Sequence, residues 1–156
     1  FDGPNQLNKF NNVKIGRRDL LDEPKIENSI TESGVRENLN EGIEYLAFWL
    51  IGTGCCVVNY LMADAATCEV SRTQLWIWLK YKVKLNDGRI VDKKLIDQLI
   101  KEELNKIKKK FLTWKKETKD KKFENVPFDE AAKIFKDMIT SKNFDNFLTL
   151  PLYEKI

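Results

Sequence analysis

The chain has 156 residues, of which 42% are hydrophobic and 33% charged, with a formal net charge of +3. This length and composition are typical of one globular domain with a single core, and no apolar run approaches the roughly 20 residues of a membrane-spanning helix. The chain has no histidine and only three cysteines, which excludes Ser-His and Cys-His nucleophiles, histidine-ligated metals and a disulfide framework supplied by this chain.

Residues 1–30 are rich in Asn, Gly, Pro and charged residues, and we predict a connecting arm with about one turn of helix. Residues 31–156 are predicted to form an all-α, bundle-like domain of five or six helices. Thr31 has the position of an N-cap for the first of them, and apolar residues then recur on one stripe as far as about Leu50. Gly52 or Gly54 would end this helix.

The segment 55–64 is predicted to be a loop or a short extended piece, and no pair of strands is convincing. A helical turn from Ala65 to about Val70 follows. Ser71 and Gln74 have the spacing of a capping box, which predicts a separate helix from Arg72 to about Lys82.

The residues Asn86-Asp87-Gly88 form a turn signal, after which Asp92 is predicted to cap a long helix with an apolar stripe. A further helix is predicted from Phe128 to about Ile139. A short final helix is predicted to start at Ser141 and to end before Pro151.

Nine lysines lie between residues 106 and 122, against only Glu117 and Asp120, and this stretch superficially resembles a nucleic-acid surface. However, Phe111 and Trp114 continue the apolar stripe of the preceding helix. We therefore favour a solvated helix face and predict no nucleic-acid partner and no membrane partner.

Asp64 lies in an apolar segment directly before a predicted helical turn. The local pattern is compatible with an N-cap and also with a sheltered general base, and on the pattern alone the cap is favoured. Cys55 and Cys56 are more typical of small buried hydrophobes than of nucleophiles. Arg72 either pairs with Glu69 or clamps an anion, and we favour the pair.

Several segments, in order along nearly the whole chain, resemble malate synthase of the shorter A type. They include Ile30-Thr31-Glu32-Ser33-Gly34-Val35-Arg36, Gly42-Ile43-Glu44-Tyr45-Leu46, Leu61-Met62, Asp64-Ala65-Ala66-Thr67 and Phe147-Leu148-Thr149-Leu150-Pro151. The resemblance implies the helical C-terminal domain that caps a (β/α)₈ barrel, with the barrel itself absent from this chain.

That family condenses acetyl-CoA with glyoxylate and water to give malate and CoA in the glyoxylate cycle. The resemblance implies that Asp64 is the general base, with Cys55 and Met62 as candidates for lining the pocket. It also implies that acetyl-CoA and glyoxylate act through the barrel, which holds Mg²⁺, so that this chain alone binds no metal or other cofactor. We therefore predict a fragment that is inactive on its own.

Two departures from the family pattern bear on the site. Ala63 stands where the family generally has glutamate, and Tyr81-Lys82 stands where it commonly has histidines. The alternative function is a catalytically silent helical interaction module derived from this domain, docking through apolar faces around Trp49, Trp76 and Trp78. The expected compartment is the cytoplasm, with the peroxisome or glyoxysome as the alternative.

Overall fold

The computed structural model describes residues 3–9, 11–21, 29–118 and 123–155. In these ranges lie five α-helices and one two-stranded antiparallel sheet. The helices are α1 (Arg17–Leu21), α2 (Glu32–Trp49), α3 (Ala65–Lys80), α4 (Lys93–Thr118) and α5 (Phe128–Thr140), and the strands are β1 (Cys56–Val58) and β2 (Leu61–Ala63). Short 3₁₀ helices occupy Gln6–Asn8 and Leu150–Lys155. The predicted all-α class is confirmed.

Helix α2 lies at the centre of the bundle and packs against α3, α4 and α5. As predicted, the Thr31 hydroxyl oxygen caps it by accepting the Gly34 N–H at 3.1 Å. Its apolar stripe is buried from Val35 to Ala47, and Leu50 at its end is half-buried. Gly42 lets α5 approach closely, since a Cβ added there would lie 2.0 Å from the ring of Phe135.

Helix α3 is one continuous helix, so the prediction of a helical turn followed by a helix capped at Ser71 is wrong. Asp64 is the N-cap, and its side chain accepts the Thr67 N–H. Ser71 lies inside the helix, is buried, and donates its hydroxyl to Glu41 Oε2 on α2 at 2.8 Å. The serine is therefore satisfied by a neighbouring helix and no break in the backbone is needed.

The segment 55–64 is extended, which is one of the two alternatives predicted for it, but its two strands pair as the β1–β2 hairpin, so the prediction that no strands pair is wrong. Cys56 pairs with Ala63 and Val58 pairs with Leu61. The two turn residues, Asn59 and Tyr60, have φ values of 50° and 66°, as expected for a two-residue turn whose twist matches the strands. Strands of three residues carry too little alternation to be recognised in the sequence.

The second half of the chain follows the predictions as far as α5. Asp92 Oδ1 accepts the Leu95 N–H at 2.8 Å and caps α4, and Gly88 has a φ of 87° in the preceding turn. The helix predicted from Ser141 is wrong, because residues 141–149 are irregular. Two carbonyls of this segment, those of Ser141 and Asp145, bind side chains of α3 instead of helical N–H groups.

The predicted arm contains α1, whose first turn is stabilised by the Gly16 N–H donating to Asp19 Oδ2 at 2.7 Å. Residues 1–2, 10 and 22–28 of the arm, and residues 119–122 of the lysine run, lie outside the described residues. The division of the chain at residue 30 stays a prediction.

Candidate functional site

Asp64 occupies the junction between β2 and α3. Its Oδ1 accepts the backbone N–H of Thr67 at 3.0 Å and the hydroxyl of the same residue at 3.3 Å. The amide hydrogen bond, followed by the hydroxyl, lowers the pKa of Asp64 below its ordinary value of 3.8. The half-buried carboxylate is therefore ionised at neutral pH and has one oxygen held by the first turn of α3.

The hairpin that precedes Asp64 carries several exposed apolar side chains. Tyr60, Leu61 and Met62 are 99%, 70% and 65% exposed, and Val57 is 68% exposed on the neighbouring strand. Contiguous exposed apolar side chains on a small domain commonly mark an interaction site. The hairpin thus presents Asp64 within an apolar face that this domain leaves uncovered in its described part.

A cleft of about 430 Å³ lies between the hairpin, α2 and α4. Cys55 lines it, whereas Asp64 and Met62 do not. The lining includes five aromatic residues and consists of Glu44, Phe48, Thr53, Cys55, Cys56, Val57, Asn59, Tyr60, Ile107, Lys110, Phe111, Trp114 and Phe123. Of the three predicted site residues, Cys55 is the one that lines this cleft.

One buried carboxylate faces this cleft. Burial raises the pKa of Glu44 above its ordinary value of 4.5, and Lys110, whose Nζ lies 3.3 Å from Glu44 Oε1, opposes that rise. Glu44 carried no signal in the sequence, because a charged residue on the apolar side of a helix is recognised only when its neighbours are known.

The three cysteines differ in exposure. Cys55 is exposed, Cys56 is half-buried and Cys68 is buried. Burial raises the pKa of Cys56 to about 12 and that of Cys68 well above its ordinary value. These two thiols stay protonated at neutral pH, which agrees with the packing role predicted for Cys56. The same prediction is wrong for Cys55, which is exposed because it lies in the open lining of the cleft beside the hairpin.

Arg72 is fully buried in the middle of α3 and forms the predicted ion pair with Glu69. Its Nη2 also donates to the backbone oxygen of Asp145 at 2.9 Å, and its guanidinium lies 3.9 Å from the centre of the Phe144 ring. Glu69 Oε2 accepts the Leu148 N–H at 3.0 Å. The Arg72 clasp is our name for this cluster of five residues, Glu69, Arg72, Phe144, Asp145 and Leu148. It binds the C-terminal segment to α3.

The three tryptophans singled out in the sequence are half-buried within the domain. Trp49 packs edge-on against Tyr153 with ring centres 5.6 Å apart. Trp76 donates its Nε1–H to the Ser141 oxygen at 2.9 Å, and Trp78 packs on the core. The exposed apolar side chains next to Asp64 are those of the hairpin, and the three tryptophans are not among them.

The described residues contain neither a candidate metal site nor a candidate membrane-spanning helix. Across the described ranges, no group of three or more Cys, Asp or Glu side chains is arranged to hold a metal ion. In the same part of the chain, no helix combines the length and the apolar character needed to cross a bilayer.

Comparison with known proteins gives one family. Residues 29–156 match the family model described as malate synthase, C-terminal. Malate synthase from Myxococcus xanthus is 39% identical over 155 residues, covering 99% of this chain and 27% of the relative. A glyoxysomal malate synthase from Glycine max is 40% identical over 161 residues, covering 97% and 27% respectively. Malate synthase A from Escherichia coli is 37% identical over 123 residues, covering 79% and 22%.

The chain thus spans about a quarter of the length of these relatives, and the part that it spans is the C-terminal part named by the family model. The described helical bundle agrees with the all-α domain that the resemblance implied. The chain belongs to the malate synthase family and is its C-terminal domain.

Proposed function

We propose that this domain serves a malate synthase that condenses acetyl-CoA with glyoxylate and releases malate and CoA, and that Asp64 is its general base. In this proposal the carboxylate of Asp64 removes a proton from the acetyl methyl group, and the resulting enolate carbon bonds to the aldehyde carbon of glyoxylate. Water then cleaves the malyl-CoA thioester. The domain contributes the proton-accepting group, and the upstream part of the complete protein contributes the rest.

The observation that carries the proposal is the setting of Asp64. The carboxylate is ionised, held by one oxygen and half-exposed, and it lies beside the exposed apolar side chains of Leu61 and Met62. A base for a carbon acid needs a fixed position and shelter from water. The described domain supplies the position, and the upstream part would supply the shelter by covering the hairpin.

Covering the hairpin would also make Asp64 a stronger base. Capping lowers its pKa, which makes it a weak base in the domain alone. Removing water from around a carboxylate raises its pKa. Docking of the upstream part on the apolar face would therefore strengthen Asp64 as a base at the moment when the site is assembled.

The enolate needs an electrophilic partner, because the α-proton of a thioester is a very weak acid. Mg²⁺ is the metal that the family implies, and the described residues of this chain do not fit it. We propose that its ligands lie in the upstream part together with most contacts to acetyl-CoA and glyoxylate. Cys55 and Met62 remain proposed pocket-lining residues.

The test is CoA release from acetyl-CoA and glyoxylate by the complete protein and by its Asp64→Asn variant. Loss of the base is expected to lower kcat by about 100-fold or more. Asp92→Asn is a matched control, since Asp92 caps α4 in the same way at 2.8 Å from the Leu95 amide. An Asp64→Asn protein as active as the Asp92→Asn control would overturn the proposed base.

This chain alone is expected to give no CoA release, because it carries only the base. Turnover by the isolated chain would contradict that division of labour. Equal activity of the complete protein with and without Asp64 would leave the domain as a silent cap, the alternative function. Related proteins from Glycine max and Candida tropicalis are described as glyoxysomal, which supports a glyoxysome as the alternative to the expected cytoplasm.

A further inference from the structure

We propose that Thr67 is a positioning residue for the base, holding one oxygen of the Asp64 carboxylate so that the other faces the substrate. This inference rests on the proposed function of Asp64. It concerns a hydroxyl group that acts through the Asp64 carboxylate, which it contacts at 3.3 Å.

The geometry is a double hydrogen bond to a single oxygen. The backbone N–H and the hydroxyl of Thr67 lie 3.0 and 3.3 Å from Asp64 Oδ1. An ionised carboxylate only accepts hydrogen bonds, so the hydroxyl is the donor. Two donors on Oδ1 fix the rotation of the carboxylate about its Cβ–Cγ bond, and Thr67 leaves Oδ2 as the oxygen available for a proton.

A helix cap needs only the first of these bonds. The backbone N–H would donate to the capping carboxylate of Asp64 whatever side chain stood at position 67, as in α4, where the Leu95 N–H donates to Asp92 Oδ1. The hydroxyl is therefore an addition to the cap. Threonine suits this role because its branched Cβ restricts rotation about χ1 and keeps the hydroxyl in place.

The hydroxyl also acts on the acidity of the base. Its hydrogen bond favours the ionised form and contributes to the lowered pKa of Asp64. Without it, the carboxylate rotates more freely and holds a proton to higher pH. Loss of the hydroxyl should therefore change both the rate of the chemical step and its dependence on pH.

The experiment uses the complete protein with Thr67→Val, which keeps the shape and removes the donor, and with Thr67→Ser, which keeps the donor. We expect Thr67→Val to lower kcat about tenfold, consistent with loss of a hydrogen bond to a charged group. The acid limb of kcat/KM should move to higher pH, and KM for acetyl-CoA should stay within about twofold of the wild type. Thr67→Ser should restore most of kcat and the original pH limb.

Thr73→Val is the matched control. Thr73 lies further along α3, and its hydroxyl donates to the Glu69 backbone oxygen at 2.7 Å. The same change of side chain there should leave kcat and the acid limb unaltered. Thr67→Ala provides a second donor-free variant in case valine disturbs packing, and thermal unfolding of each variant reports folding separately from kcat.

Two results would overturn the inference: wild-type kcat and pH profile in both donor-free variants, or equal losses in Thr67→Ser and Thr67→Val. An effect confined to KM would also contradict it. The proposed function fails separately, through full activity of Asp64→Asn. A dead Asp64→Asn protein with an unaltered Thr67→Val protein would leave Asp64 as the base and remove only the role of Thr67.

Discussion

The middle of α3 and its N-terminal end carry two carboxylates with opposite surroundings. In the middle, Glu69 binds a fully buried arginine and the backbone of a distant segment. At the end, Asp64 binds only the first turn of its own helix and lies beside the exposed side chains of Leu61 and Met62. The same helix therefore contains one polar cluster that binds a distant segment of the domain and one carboxylate that makes only local hydrogen bonds.

The difference separates a polar cluster that stabilises the domain from a carboxylate for which we propose a catalytic role. The Arg72 clasp joins groups more than 70 residues apart, and breaking it leaves buried charge without a partner. The Asp64 end makes only local bonds and keeps an uncovered apolar face. A domain whose catalytic group is completed by another part of the protein is expected to show this pattern.

The largest effect should come from the Arg72 clasp. Replacing Arg72 with Met removes the guanidinium that donates to Glu69 and to the Asp145 oxygen. We expect the free energy of unfolding to fall by about 3 kcal/mol. Urea unfolding of the isolated chain measures this. Lys109→Met removes an exposed positive charge from α4 and should change stability by less than about 0.5 kcal/mol. Equal stability of the two variants would refute the clasp.

Next in size is the contact between α2 and α3. Ser71→Ala removes the buried hydroxyl that donates to Glu41, and we expect a loss of about 1 kcal/mol. Ser33 makes an exposed bond of the same type to Glu37 at 3.2 Å, so Ser33→Ala is the control and should cost less. A larger loss in the control would show that burial does not decide the strength of these bonds.

At the N-terminal end of α3, Asp64→Ala in the isolated chain is expected to lower the free energy of unfolding by less than Ser71→Ala does. The reason is that the carboxylate it removes is partly hydrated. Asp64→Asn should lie close to the wild type, since its amide oxygen can still cap the helix. The folded pKa of Asp64 is lowered, so its contribution is complete above the unfolded value of 3.8 and is lost as the pH falls through the folded pKa. Unfolding curves between pH 2 and pH 7 check this sign; a penalty for alanine that persists in strong acid would contradict it.

The smallest effect is predicted for the apolar face itself. Val57→Thr should change the stability of the isolated chain by less than about 0.5 kcal/mol, because Val57 is 68% exposed. Val58→Thr on the same strand, where the side chain is 2% exposed, should cost about 1–3 kcal/mol. In the complete protein, slower hydrogen exchange in β1 and β2 would show that the face is covered; unchanged exchange would leave the hairpin without a partner.

Local signals predicted much of the fold correctly. The Thr31 and Asp92 caps and the turn ending at Gly88 depend on groups within about four residues, and all three are observed. The candidate site at Asp64 was not predicted from local signals. Its local pattern favoured a cap at Asp64, which is what the described domain shows, and the role as a base came from the resemblance to malate synthase.

By itself, the sequence determined the family, the all-α class and the caps of α2 and α4, because these depend on composition, order and short-range hydrogen bonds. Only the tertiary structure decided that Ser71 is interior to α3, that 55–64 contains a hairpin and that the segment after Ser141 is not helical. The partners that settle the first and third points lie 30 to 79 residues away, at Glu41 and along α3. Packing brings such groups together, and a buried hydroxyl or carbonyl then forms a hydrogen bond with the partner that packing places beside it.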